Sequence, residues 1–149
     1  MRDDCYQAKL WLNRNYYSSR QLAADRRMLA VIENLLGSGV ARYENDGTNS
    51  CDSDAARARH EDKLIEYSEQ KARVEREERE LAAEMLKTRR AIEKLEEEEL
   101  KTVATERYIN LRKWRDIEEL IHISRAQLFR VHEKMLEKMA DIIRNGGED

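Results

Sequence analysis

The 149-residue chain contains no proline and five glycines. Because these two residues mark turns and end regular elements, their scarcity argues against the many short elements and tight loops of a compact α/β enzyme. Aromatic residues make up 6% of the chain, and charged residues make up 40%. Long helices with solvated outer faces account for such a composition. The sequence therefore predicts an all-α protein.

Long apolar segments are also missing. No stretch approaches the roughly 18 consecutive apolar residues that a membrane helix needs. The first residues, MRDDCYQAKLW, lack the apolar centre of a secretory signal peptide. Cys5 and Cys51 are far apart in the chain and form no CxxC pair, which favours free thiols in a reducing compartment. We therefore expect a cytoplasmic protein with no membrane partner.

The sequence carries no complete catalytic or metal-binding motif. Glu119-x-x-His122 has the spacing of one di-iron ligand pair, but such a site needs a second motif of this kind. His132-Glu133 would open an HExxH zinc motif, but the residue at its last position is Leu136. The abundant carboxylates lie among lysines and arginines at helical spacing and are typical of paired charges on wet helix surfaces. We expect no enzyme activity, no metal and no cofactor.

The first long helix is predicted at about residues 4–36. Its apolar residues recur every seven positions, with two further members at helical spacing. Gly37 and Gly39 are placed to end this helix, since glycine adopts left-handed dihedrals cheaply. The small and polar residues of 37–52 are then predicted to form a loop. The predicted stripe consists of Leu10, Tyr17, Ala24, Met28, Val31 and Leu35.

The second long helix is predicted to begin near Ser53 and to continue past Leu100, with Glu96–Glu99 as a solvated face or flexible joint. Paired with the first helix, it gives an antiparallel, coiled-coil-like hairpin, so residues 1–100 form one predicted domain. The partly uncovered apolar side of this hairpin predicts self-association, most simply as a homodimer. The predicted heptad seam consists of Leu64, Tyr67, Val74, Leu81, Met85, Ile92 and Leu95, interrupted by Lys71, Glu78 and Thr88.

A stop and restart of the helix is predicted within HISRAQLFRV, residues 122–131. Ser124 followed three positions later by Gln127 has the form of a capping box, in which the two residues satisfy each other's backbone N–H groups. One helix is therefore expected to end near Ile121, and a second to begin at Arg125 after a tight turn. This pattern is typical of a helix-turn-helix.

The predicted helix-turn-helix, within a second domain of residues 101–149, buries one apolar corner and leaves the outer face of helix 125–140 free. Arginine and glutamine at the start of such a helix pair with guanine and adenine edges in the major groove. Basic residues before the first short helix are placed to hold phosphates. The predicted core is Trp114, Ile117, Ile121, Ile123, Leu128 and Val131. Predicted base readout is by Arg125, Gln127 and Arg130, and predicted phosphate contacts are Arg112, Lys113, Arg115 and Lys134.

Residues 106–139, ERYINLRKWRDIEELIHISRAQLFRVHEKMLEKM, resemble the sigma-region-4-like helix-turn-helix of small phage-encoded transcriptional regulators. This group is similar to the RinA and ArpU late-gene activators of phages that infect Gram-positive bacteria. Glu118 and His122 stand where the group usually has alanine and glycine. The shared features are Arg107-Tyr108-Ile109, Trp114, Ile117, Ser124-Arg125 and the V-H-x-K-x-L-x-K-M stretch from Val131 to Met139.

The resemblance implies a phage or prophage transcriptional regulator of late or packaging genes. Its partners would be double-stranded DNA and host RNA polymerase. Two other readings remain open. One is a coiled-coil adaptor that acts through protein contacts without DNA, and the other is the small DNA-recognition subunit of a phage packaging terminase. Ring formation in solution would favour the terminase reading, and salt-independent partner binding without DNA affinity would favour the adaptor.

Overall fold

The computed structural model describes residues 3–45 and 50–146, and it describes side chains over 3–37 and 54–146. These ranges contain helices and short turns and no strand, which confirms the all-α prediction. None of the helices in the described ranges combines the length and apolar character needed to cross a membrane. The elements are α1 (Asp3–Asn45), α2 (Ser50–Glu93), α3 (Glu98–Ala104), a π-helical segment (Thr105–Ile109), α4 (Trp114–Ile121) and α5 (Arg125–Asn145).

The loop predicted at residues 37–52 is wrong in its extent. Helix α1 continues through Gly37 and Gly39 to Asn45, and α2 begins at Ser50, while residues 46–49 lie outside the described part of the chain. Among the described glycines, none has a positive φ. A glycine inside a helix costs only about 1 kcal/mol relative to alanine, so neighbouring residues carry the helix through both positions.

The apolar stripe predicted on α1 is also wrong, because its large side chains are exposed to solvent. Leu10 is 45% exposed, Tyr17 66% and Val31 53%. Two sets of residues on α1 obey helical spacing, and the prediction selected the set that faces solvent. The packed partner, which the sequence pattern does not specify, decides between the two sets. The buried positions of α1 are Cys5, Ala8, Leu12, Asn15 and Leu22.

One compact unit joins Met1–Ser18 with Leu81–Asp149. Leu95 and Ala104 lie on either side of the predicted boundary between residues 100 and 101, and both pack in the same core cluster. The division into residues 1–100 and 101–149 stays a prediction. The buried members of this cluster are Cys5, Ala8, Leu12, Ile92, Leu95, Leu100, Ala104, Tyr108, Met135, Leu136 and Met139.

Helix α2 ends at Glu93, earlier than the sequence predicted. The backbone N–H of Lys94 donates to Ala91 at 3.2 Å, and that of Leu95 donates to Ile92 at 3.0 Å. Such i to i+3 bonds tighten the last turn of a helix and end it. Helix α3 then starts at Glu98, where carboxylates complement the positive end of the helix dipole. Residues 96–99 are exposed, as predicted for a solvated segment. They form a turn and the start of α3, and do not continue α2.

Within this unit, α1 and α2 meet through polar side chains. The Asn15 amide donates to the Thr88 hydroxyl oxygen at 2.9 Å, and Ser18 donates to Glu84 at 3.1 Å. Both Asn15 and Thr88 are fully buried. Thr88, which interrupts the predicted heptad seam, is therefore a seam residue that makes a buried hydrogen bond.

The second compact unit, Ser19–Glu80, contains parts of α1 and α2. Leu22 and Val74 are the hydrophobic side chains that it buries among the described residues, while Leu29, Ile32, Leu36 and Tyr67 are half-buried. Arg73 lies 3.5 Å from Asp25 and 3.2 Å from Glu77. Burial and the adjacent Asp25 carboxyl raise the pKa of Glu77. A hydrogen bond with Glu77 lowers the pKa of Asp25.

The predicted seam of α2 is partly right. Leu64 is 44% exposed and lies outside it, whereas the other six apolar members are buried or half-buried. The polar residues Gln70 and Glu77 take seam positions that the prediction gave to Lys71 and Glu78, one residue further along. A seam that contains polar residues cannot be placed by hydrophobicity alone.

Candidate nucleic-acid interface

Helix α4 lies between two residues in the left-handed region. Leu111 precedes it with φ 56°, and His122 follows it with φ 55° and ψ 45°. This conformation costs a non-glycine residue roughly 1–2 kcal/mol, so surrounding contacts must hold it. Before α4, the Arg107 guanidinium donates to the backbone oxygen of Arg112 at 2.9 Å, and the Arg112 N–H donates to Glu106 O at 3.0 Å.

The start of α5 has the predicted capping box. The Gln127 N–H donates to the Ser124 hydroxyl oxygen at 3.2 Å, and the Ser124 N–H donates to Gln127 Oε1 at 3.3 Å. Helix α4 ends at Ile121 and α5 begins at Arg125, so the predicted stop and restart are confirmed. His122 takes the left-handed conformation that the turn requires.

The six residues predicted as one apolar corner pack in a single cluster. Ile117 of α4 and Leu128 of α5 are fully buried, together with Val103 of α3. Val103 was not part of the prediction, and it brings α3 under the corner as a third helix. The half-buried members are Trp114, Ile121, Ile123 and Val131.

An aromatic cluster joins the π-helical segment, α4 and α5. The ring centroid of Trp114 lies 5.7 Å from that of Phe129 and 4.5 Å from that of His132, both in edge-to-face geometry. The Arg107 guanidinium lies 4.6 Å above the Trp114 ring. Edge-to-face pairs and a cation over a ring are attractive contacts. They hold the angle between α4 and α5.

His132 is the buried polar residue of this cluster, with 8% of its surface exposed. Its Nε2 lies 2.6 Å from the Tyr108 hydroxyl oxygen. Burial, followed by the positive charges of Lys9 and Arg107, lowers the pKa of His132 to about 4. Burial also raises the pKa of the Tyr108 hydroxyl. Both groups are therefore neutral near pH 7, and Tyr108 can donate to an unprotonated Nε2.

The three residues predicted to read bases are exposed on the first turns of α5, but their surroundings differ. Arg125 Nε donates to Glu118 Oε1 at 3.0 Å. Gln127 turns its side-chain oxygen back to the Ser124 N–H, which competes with a bidentate contact to adenine. Arg130 has no acidic partner within 4 Å among the described residues.

The residues predicted to hold phosphates are likewise exposed. Lys113 is the N-cap residue of α4, and no carboxylate of the described residues lies within 4 Å of it. The other three have carboxylate partners on the same surface. These pairs are Arg112 Nε to Glu106 Oε2 at 2.6 Å, Arg115 Nε to Glu119 Oε1 at 4.0 Å, and Lys134 Nζ to Glu97 Oε1 at 2.9 Å.

Sequence reasoning missed the roles of His132 and Glu118. His132 lies four residues after Leu128 and three before Met135, on the buried face of α5, and this spacing is a signal for a buried histidine. Glu118 gave no such signal, because its partner Arg125 lies across a turn whose geometry the sequence does not fix.

Among the residues described by the structure, no group of three or more His, Cys, Asp or Glu side chains is arranged to hold a metal ion. Comparison with models of known families, with curated proteins and with solved structures finds no match to this chain.

Proposed function

We propose that this chain is a DNA-binding transcriptional regulator of phage or prophage late or packaging genes. Residues 101–149 would form its helix-turn-helix, and α5 would enter the major groove. The observation that carries the proposal is the tight turn at His122–Ser124 between two helices that share one core, with Arg130 exposed just beyond it. The resemblance of residues 106–139 to phage regulators directs the proposal to phage genes.

The charges of α5 favour entry by its N-terminal end. Arg125 and Arg130 lie in the first two turns, whereas Glu133 and Glu137 follow on the exposed surface. Carboxylates repel DNA phosphates, so the later turns would lie away from the backbone. Lys113 at the start of α4 is placed to hold a phosphate.

The ion pairs on this surface do not prevent DNA contact. Exposed pairs of this kind typically contribute about 0–1 kcal/mol. Lys134, which is 52% exposed, can exchange Glu97 for a phosphate at little cost. The paired cations thus remain available to DNA.

The long helices would form an antiparallel hairpin that joins two copies of the protein into a dimer. Exposed large side chains on α1, including Tyr17 and Val31, provide apolar surface for the second copy. A dimer would present two α5 helices to half-sites about 34–36 Å apart, one turn of DNA. Light scattering that gives a 17.7 kDa monomer at tens of micromolar, with and without DNA, would contradict the dimer.

A second candidate function is an adaptor that binds another protein, such as host RNA polymerase, without DNA. The observation that favours it is apolar exposure beside the turn, since Leu120 is 46% and Phe129 45% exposed. An adaptor would bind its partner with little salt dependence, whereas DNA binding weakens steeply as salt rises.

The test begins with duplex fragments of the source genome that the pure protein retains. On the selected site, Arg130→Ala should weaken binding by roughly 1–3 kcal/mol and relax base preference at one position. Lys113→Ala should weaken binding to all sequences about equally and reduce the salt slope by about one.

The matched control is Arg79→Ala, which removes the same charge from an exposed position of α2. It should bind as wild type does. If the Arg130 and Lys113 variants also bind as wild type does, the regulator proposal fails. Assembly of the protein into rings would instead favour the packaging terminase.

A further inference from the structure

The contact between α4 and the first residue of α5 suggests a role for an acidic residue. Glu118 Oε1 accepts a hydrogen bond from Arg125 Nε at 3.0 Å across the turn. The Glu118 side chain is 21% exposed, whereas that of Arg125 is 65% exposed. The carboxylate is thus held against the protein, and the guanidinium projects into solvent from the start of α5.

We infer that Glu118 is a specificity-determining residue that positions Arg125 to read a guanine in the major groove. This inference rests on the proposed DNA-binding function. Arg125 would touch the base, and Glu118 would act through Arg125.

The geometry of the guanidinium supports this assignment. Its five N–H groups form a rigid fork, and the bond to Glu118 uses the Nε–H. The two terminal nitrogens can then point end-on at guanine O6 and N7, the commonest specific arginine contact in DNA. Holding a long side chain in place before binding reduces the rotamer entropy that binding would otherwise remove. Glu118 therefore prepares Arg125 for a bidentate contact.

The charge of the pair also distinguishes base readout from phosphate contact. The Glu97 and Glu119 side chains are 48% and 73% exposed and can turn away from a phosphate, whereas Glu118 is 21% exposed and stays beside Arg125, where its carboxylate would repel a phosphate. Guanine O6 and N7 are neutral acceptors, so a paired arginine can bind them without that repulsion. Lys113 lacks a carboxylate partner among the described side chains and suits phosphate better.

We expect Glu118→Ala to increase the affinity for DNA and to decrease the selectivity among base pairs. Loss of one negative charge should strengthen binding to all duplexes and steepen the salt dependence. Loss of the hydrogen bond should weaken discrimination at the single base pair that Arg125 reads. A bidentate pair is worth about 5- to 150-fold in discrimination, and we expect Glu118→Ala to reduce it by at least about threefold.

Glu119→Ala is the matched control. Glu119 is the next residue of α4, is 73% exposed and lies 4.0 Å from Arg115. Its removal deletes the same charge from the same helix but leaves the Arg125 contact intact. This variant should bind all sequences more tightly without loss of discrimination. Glu118→Gln, which retains an acceptor oxygen, should retain part of the discrimination.

The experiment measures dissociation constants of the full chain on a selected duplex and on its three single-base variants at each position. Arg125→Ala identifies the base pair that Arg125 reads. Glu118→Ala should relax preference at that same pair, and in the Arg125→Ala background it should have no further effect on preference.

Two results would overturn the inference and are distinguishable. If wild type and Glu119→Ala bind no duplex with sequence preference, the proposed function fails and the inference fails with it. If wild type discriminates and Arg125→Ala relaxes one position, but Glu118→Ala keeps full discrimination there, the function stands and Glu118 has no positioning role.

Discussion

Residues 19–80 differ from the unit formed by 1–18 and 81–149 in the side chains that they bury. The latter unit has apolar clusters that include Leu12, Ile117 and Leu128, each without exposed surface. Among the described side chains of 19–80, the hydrophobic residues that reach burial are Leu22 and Val74. The other partly buried side chains of this unit include the polar residues Asp25, Gln70 and Glu77.

This difference indicates that the two units differ in how precisely they position their side chains and in how stable they are. Apolar cores are close-packed and hold side chains in defined rotamers, which would suit the proposed role of Arg125 and Arg130 in reading DNA. Polar seams specify which residues pair but contribute less net free energy, because their groups also bind water in the unfolded chain. We therefore expect residues 19–80 to be the less stable unit.

The largest expected effect comes from removing core volume. Leu128→Ala should lower the free energy of unfolding by about 2–5 kcal/mol, the range for buried leucine, whereas Leu22→Ala should fall at or below its lower end. Leu22 has few buried apolar neighbours, so its surroundings can close over the lost volume. Trp11 and Trp114 both lie in the unit with the apolar cores, so tryptophan fluorescence in urea reports that unit and circular dichroism reports all helices. Equal losses for the two variants would contradict the comparison.

The second effect is a loss of protein stability in acid, caused by protonation of the buried His132 side chain. Its pKa is about 4 in the fold and about 6.5 in an unfolded chain, so the unfolded state binds more protons between these values. The contribution of neutral His132 to the free energy of unfolding is fully present above pH 6.5. It is lost as pH decreases towards 4, by about 3 kcal/mol in total. Urea unfolding followed by tryptophan fluorescence at pH 7 and at pH 4.5 measures this loss.

His132→Leu is the control for the acid effect. It removes the titrating group and should flatten the pH dependence of the unfolding free energy in that range. It also leaves the Tyr108 hydroxyl without its imidazole partner, so its stability at pH 7 should fall. A wild-type protein that is equally stable at pH 7 and at pH 4.5 would contradict the burial argument.

A smaller effect is expected at the cap of α5. Ser124→Ala should cost about 1 kcal/mol, since it leaves a backbone N–H of the first turn without its acceptor. Gln127→Ala removes the reciprocal half of the capping box and should cost less, because the Ser124 N–H is exposed to water. Thermal unfolding should show the larger shift for Ser124→Ala. A larger shift for Gln127→Ala than for Ser124→Ala would contradict the role of the Ser124 hydroxyl as the N-cap of α5.

The smallest effect concerns the carboxyl pair of residues 19–80. The pKa of Glu77 is raised in the fold, so above that pKa the ionised carboxylate is less favourable in the folded than in the unfolded chain and lowers stability. Glu77→Gln removes the charge and should stabilise the unit at pH 7 by less than about 1 kcal/mol. The gain should decrease in acid, as Glu77 becomes protonated first in the folded chain and then in the unfolded chain. Circular dichroism in urea at pH 7 and pH 4 measures the difference, and a loss of stability at pH 7 would contradict it.

The helical class and the turn before α5 could be predicted from the sequence because their causes are local. Ser124 and Gln127 are three residues apart and cap the same helix. The buried face of α1 could not be predicted, since Leu10 and Leu12 obey equally good helical patterns and only the packed partner decides between them. Arg125 could be placed at the start of α5, but its contact with Glu118 depends on the left-handed backbone of His122.

The most direct test of the account is hydrogen exchange of the full chain with and without a selected DNA duplex. If α5 reads DNA, amides at 112–116 and 124–131 should exchange more slowly in the complex. Amides at 54–80 should exchange at the same rate with and without DNA. Slower exchange confined to 54–80, or no change in 124–131 while DNA is bound, would contradict the proposal that α5 enters the groove.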